Sequence, residues 1–172
     1  MNLEGKLFIR ERLINDNSAR NYVIKTVLND IDQGSEFEQR NSDLIKTNSS
    51  NPAEYMKQLA QQGYDVMIGY ENEKIIGHMV FQEHKSSCRK NWQIFRIYTI
   101  LEKRGQGYTI PLSVEFLKKA CQHGITKVRL GGGKNPIMSK IAEGVKMQLK
   151  NIEVDLDSLW VTFTTPQNPP SP

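Results

Sequence analysis

Apolar positions along the chain change period several times, and each change predicts an element. Leu7, Phe8 and Ile9 form a short apolar run that predicts a first strand. From Ser18, a natural helix cap, Val23, Val27 and Ile31 recur at helical spacing, with Ile24 and Leu28 beside them. This predicts a helix to about Gln33. Residues 34–50 are polar and rich in Ser and Asn, with only Phe37, Leu44 and Ile45 as a weak helical hint. Asn51-Pro52-Ala53-Glu54 reads as a helix start, with a cap, a first-turn proline and a capping-box glutamate, and Gly63 as its end.

The rhythm then shortens to that of strands. Residues 64–70, 74–84 and 92–101 predict three of them. Glu71-Asn72-Glu73 is short enough for a hairpin, and 85–91 is expected to be a polar, basic loop. Ile110, Val114, Leu117 and Cys121 fall on one helical face, with Thr109 as N-cap, Pro111 in the first turn and Gly124 as terminator. A strand over 125–130, a flexible loop at Gly131-Gly132-Gly133, and a helix from Asn135-Pro136 carrying Ile137, Ile141, Val145 and Leu149 follow. Two short strands, 152–156 and 159–163, precede a Pro-rich tail at 166–172 that is expected to be disordered.

Consecutive strands early on predict an antiparallel meander, and the later strand–helix–strand unit predicts one parallel crossover. The expected fold class is α/β (α+β): a mixed, mainly antiparallel sheet of about six to seven strands with about four helices, in one domain over 1–165.

Composition narrows the function. With 172 residues and 38% hydrophobic content, one globular domain can bury a core. The net charge is +4, and the isoelectric point is about 9.0. This suits an anionic cofactor, but the basic residues are scattered, which argues against nucleic acid. Cys88 and Cys121 have neither CxxC spacing nor a histidine cluster nearby, so no metal is expected. Nothing reads as a signal peptide or a membrane span, and the expected location is cytoplasmic.

The chemistry concentrates in Lys103-Arg104-Gly105-Gln106-Gly107-Tyr108-Thr109, between a strand-like run and a helix-like run. Backbone amides gathered at a helix start attract phosphate. A dinucleotide fingerprint would need a third glycine where Ile110 stands, and a triphosphate loop would need Gly-Lys followed by Ser or Thr, which this chain lacks. Coenzyme A is the third reading.

Here the sequence resembles the GNAT (Gcn5-related N-acetyltransferase) superfamily, whose signature Arg/Gln-x-x-Gly-x-Gly/Ala is matched at Arg104 and Gly107, with Thr109 in place of the final Gly/Ala. The resemblance covers roughly residues 64–150. It implies acetyl-CoA as cosubstrate, its pyrophosphate held by Arg104, Gly105, Gln106, Gly107, Tyr108 and Thr109. It further implies that the backbone of Thr99 and Leu101 pairs with the pantetheine arm between splayed strands, with Asn135 touching the same arm. The activity implied is transfer of an acetyl group to a primary amine of a small molecule or protein, and a homodimer is compatible with it.

Catalysis is less well matched. The family often places a Tyr acid seven residues after the Asn, where this chain has Ala142. Tyr98, beside the expected thioester, and Ser139, one turn before Ala142, are the candidate acids. Glu83, followed by His84 at a predicted strand end, is the candidate base, and His78 reads as a sheet histidine. The other reading is an acyl-CoA-binding or protein-interaction module that kept the fold without the activity.

Overall fold

The computed structural model describes residues 2–11, 15–19, 21–22, 61–86, 89–131 and 136–164. The strands are β1 (Leu3–Leu7), β2 (Tyr64–Glu71), β3 (Lys74–Ser86), β4 (Arg89–Thr99), β5 (Lys127–Arg129), β6 (Ile152–Asp155) and β7 (Trp160–Phe163). The helices are α1 (Thr109–Gln122) and α2 (Pro136–Gln148), and a 3-10 turn spans Leu101–Lys103. The seven strands form one sheet in the order β1-β2-β3-β4-β5-β7-β6. Pairing is antiparallel for β3–β4, β5–β7 and β6–β7, and parallel for β4–β5, across which α1 is the crossover. This is the mixed, mainly antiparallel α/β sheet that the hydrophobic pattern predicts. Most of the two helices expected before residue 63, Asn135 and the tail lie outside the described residues.

The chain divides into two compact units, one of 1–6 with 66–172 and the other of 7–65. In the second, the Asp65 carboxylate accepts N–H bonds from Ile9 (2.8 Å) and Arg10 (3.2 Å). Those bonds turn the backbone at the residues where a strand was expected. The first strand ends at Leu7 rather than beginning there, although Leu7 and Phe8 are fully buried.

In the larger unit, β2 and β3 meet in a two-residue hairpin, with Asn72 and Glu73 at φ 48° and 65° as a type I′ turn requires. The predicted loop at 85–91 is mostly strand. The β3–β4 ladder reaches Ser86 opposite Arg89, because main-chain pairing continues past the last apolar side chain. The core beneath α1 is aromatic. Phe81, Trp92 and Phe116 are buried, with ring centroids 4.4 Å (Phe81–Trp92), 4.9 Å (Phe81–Phe116) and 5.4 Å (Trp92–Phe116) apart. Each such pair contributes about 0.5–1.5 kcal/mol beyond its burial. The buried face of α1 is Leu112, Ser113, Val114, Phe116, Leu117 and Ala120. It is rotated from the predicted stripe, so Cys121 is only half-buried and lines a small cleft with Leu117, Leu149 and Phe163. No helix among the described residues is long and apolar enough to cross a membrane.

One irregularity in β4 positions the site. Phe81 lies opposite Ile94, but Val80 lies opposite Arg96, so Phe95 is an extra residue, a β-bulge. Cross-strand partners share a face and alternate along a strand. Trp92 and Ile94 therefore face α1 with Phe81, whereas Arg96 and Tyr98 turn to the opposite face with Val80 and His78.

Candidate functional site

β4 pairs with β5 only from Asn91 to Gln93, against Lys127 to Arg129. It then runs six residues further, to Thr99, without β5 beside it. The strands part there and open a cleft of about 470 Å³. Residues 94–99 form one wall, and Leu130, Gly131, Ile137, Met138 and Ile141 the other. Lys103, Arg104, Gly105, Gly107, Tyr108 and Thr109 close its end. An exposed strand edge beside a narrow apolar wall suits an extended, amide-bearing ligand.

The glycine loop owes its shape to two residues in the left-handed region, Gly105 at φ 74° and Gly107 at φ 79°. No atom lies within 4 Å of where a Cβ would project from either glycine. The space beside the loop is therefore free for a ligand. Helix α1 begins one residue earlier than predicted, with Tyr108 as N-cap and Thr109 as the first helical residue. The first intrahelical donor at this end is Leu112, to Tyr108 O (3.0 Å), and Pro111 has no N–H. Thr109 and Ile110 are first-turn amides with no intrahelical acceptor. The N-cap makes no side-chain bond to the helix's own first-turn amides, and the first turn carries no acidic residue. The first-turn amides at the positive end of the helix dipole are thus left without a capping side chain.

Arg104 Nε donates to Thr99 O (3.0 Å), and its guanidinium sits 5.0 Å from the Tyr98 ring. The Arg96 guanidinium lies 5.5 Å from the same ring, and the His78 ring is stacked on it at 5.1 Å. Burial, and secondarily Arg96, pushes the His78 pKa down to about 3. The imidazole therefore stays neutral and is too weak a base to take a proton from an amine near neutral pH. Gly77, beside His78, is required by close approach. A Cβ there would lie 2.3 Å from Tyr98 O.

A second cluster, which no sequence pattern announces, fixes the loop. Tyr108 Oη donates to Glu71 Oε2 (2.6 Å), and Lys103 Nζ donates to the same oxygen (3.1 Å) and to Tyr108 Oη (3.0 Å). Lys103 also lies 4.9 Å over the Tyr108 ring. Hydrogen bonds from Tyr108 and then Lys103 lower the Glu71 pKa, and bonds to Tyr108 and Glu71 raise that of Lys103.

Of the sequence-predicted residues, Tyr98, Thr99, Arg104, Gly105, Gly107, Tyr108 and Thr109 meet at this cleft. Leu101 opens the 3-10 turn that leads into the loop. Gln106 points away, its amide donating to Glu102 O (2.7 Å). Glu83 accepts from Trp92 Nε1 (3.0 Å) and is not among the lining residues, and neither is Ser139. Ala142 is fully buried, and Asn135 lies outside the described residues. No group of three His, Cys, Asp or Glu side chains among the described residues is placed to hold a metal.

Strands that part after a parallel crossover, with a glycine loop at the opening, are the arrangement that the sequence resemblance implies. Solved structures agree. A probable acetyltransferase matches 90% of this chain and 97% of its own, with TM-score 0.55 and 11% identity. An aminoglycoside acetyltransferase from an uncultured soil metagenomic sample, in complex with trehalose, matches 89% and 93%, with TM-score 0.52 and 13% identity. Another aminoglycoside acetyltransferase from such a sample matches 80% and 83%, with TM-score 0.50 and 17% identity. No family model matches the sequence, and no curated protein matches it significantly. By structure, the chain has the fold of the GNAT acetyltransferases, the fold its glycine motif implies.

Proposed function

We propose that this protein is an N-acetyltransferase that moves an acetyl group from acetyl-CoA to a primary amine of a small molecule or protein. The observation that carries the reading is the parted β4–β5 edge ending on an uncapped helix start behind a glycine loop. The pantetheine arm would lie along residues 94–99, its amides meeting the β4 edge as an added strand. The pyrophosphate would sit against the amides of Gly105 to Thr109, with the Arg104 guanidinium beside it. Arg104 presently bonds Thr99 O, so it would exchange that carbonyl for phosphate as the arm enters. A fold match over 90% of the chain supports reading residues 1–165 as one acetyltransferase domain.

The reaction is direct attack by the amine nitrogen on the thioester carbonyl, followed by collapse with loss of the CoA thiolate. The thiolate needs a proton, and Tyr98 is the candidate donor because it alone of Tyr98, Ser139 and Glu83 lines the cleft. The Arg104 and Arg96 guanidiniums near its ring would stabilise negative charge developing there. Glu83, held by the Trp92 indole, is a poor candidate base; an amine that enters neutral still sheds one N–H proton after attack, and that proton would return to the Tyr98 oxygen that had protonated the thiolate.

A second reading is favoured by one observation. Ala142 occupies, fully buried, the position where the family often has its acid. It is a catalytically silent acyl-CoA-binding or protein-interaction module. Thiol release from acetyl-CoA across a broad amine panel, paired with calorimetry of CoA binding, separates the two. Turnover on any acceptor establishes the transferase, binding without turnover establishes the module, and absence of binding removes both.

A further inference from the structure

Lys103 and Tyr108 bracket the four-residue loop Arg104–Gly107, and both donate to one oxygen of Glu71, the last residue of β2. Tyr108 is nearly buried, and Glu71 abuts the tight β2–β3 hairpin, so the anchor point is itself rigid. The two donors also bond each other, which closes a ring of hydrogen bonds around the base of the loop. A loop with two glycines has more backbone freedom to lose than an ordinary segment of this length. Something must hold its ends if the amides are to stay aimed at one point. The Glu71 carboxylate also offsets the Lys103 charge, which leaves the amides, the helix start and Arg104 as the attraction for an anion.

We infer that Glu71, acting through Lys103 and Tyr108, is a positioning residue that pre-orders the glycine loop for the pyrophosphate of the cofactor. This rests on the coenzyme A reading above. Its cost and benefit appear in binding: an unanchored loop must be ordered by the ligand, which then binds more weakly. The Tyr108 ring fills space at the start of α1, so Tyr108→Phe keeps the packing and removes both hydroxyl bonds. Glu71→Gln keeps the shape and an accepting oxygen but removes the charge.

The test titrates CoA, and separately pantetheine, into ¹⁵N-labelled wild type, Tyr108→Phe and Glu71→Gln, and follows amide shifts. Pantetheine lacks the pyrophosphate and does not need the loop. The expected result for Tyr108→Phe is CoA binding weakened about tenfold, the effect of re-ordering roughly one residue's backbone on binding, with pantetheine affinity unchanged. Glu71→Gln should fall between it and wild type. Equal CoA affinity in all three proteins overturns the inference and leaves the cofactor reading standing. Equal weakening of CoA and pantetheine also overturns it, because it shows a general structural role. Failure of wild type to bind CoA removes the cofactor reading and this inference with it.

Discussion

Protonation of His78 offers the sharpest physical test of the sheet beside the cleft. His78 is fully buried on β3 against the Tyr98 ring, and its pKa falls from the ordinary 6.5 to about 3. Unfolding returns it to the ordinary value, so between those limits the unfolded chain binds one more proton than the folded one. A group with a depressed folded pKa contributes stability that is present above the unfolded pKa and lost as pH falls. The slope approaches about 1.4 kcal/mol per pH unit. At about pH 5, linkage gives a loss of about 2 kcal/mol relative to neutral pH. The figure hardly depends on the folded value, because any pKa below about 4 leaves the folded imidazole neutral at that pH.

Glu71 acts in the same direction, but its pKa is lowered from 4.5, so its contribution is lost below that value. Asp155, lowered from 3.8 by bonds from Ser158 and Asp157, acts lower still. The interval from about pH 5 to 7 therefore isolates His78 among these groups. The assay is urea unfolding of wild type and His78→Phe at several pH values across it. Phenylalanine keeps a ring against Tyr98 but cannot titrate. Wild type should lose about 2 kcal/mol more than the variant on going from neutral pH to about pH 5. Identical slopes would refute the claim that a buried neutral imidazole sets the acid limit of stability.

Other perturbations address the cleft. Gly107→Val should leave the protein folded but strained by about 1–2 kcal/mol, since its φ is positive and the space around it open; it should abolish CoA binding, and unchanged affinity by calorimetry would sink the phosphate assignment. Tyr98→Phe should lower turnover in a thiol-release assay with CoA affinity intact; unchanged turnover would remove Tyr98 as the acid. Gly77→Ala places a methyl against the Tyr98 carbonyl and should destabilise the sheet by about 1–3 kcal/mol, read as a fall in the urea midpoint.

What was legible in the sequence was whatever depends on local pattern. The glycine loop, the helix behind it, the hairpin at Glu71-Asn72-Glu73 and the parallel crossover all follow from spacing and turn chemistry over a few residues. What was hidden depends on partners distant in sequence. The turn after Leu7 is made by Asp65, and no periodicity around Leu7 carries that information. Glu71 reads as an ordinary polar hairpin residue until folding brings Lys103 and Tyr108 to it. Glu83 was plausible as a base because a strand-end carboxylate looks available, and only the structure shows it bonded to the Trp92 indole. Tyr98 was placed at the cleft from its strand alone, but the face it presents follows from the bulge, which strict alternation cannot reveal.

The extra residue at Phe95 makes β4 two strands of opposite parity joined end to end. Up to Ile94, even-numbered side chains belong to the aromatic core under α1; from Arg96 onward they belong to the other face. The same segment can thus vary its core half for packing and its far half for chemistry with little cross-talk. Loss of Phe95 would restore regular alternation and leave both halves on their present faces, whereas a one-residue slip of the second half against β3 would exchange its faces and drive a guanidinium toward the core. Substitutions in the second half of β4 should therefore be tolerated far better than a slip of its register.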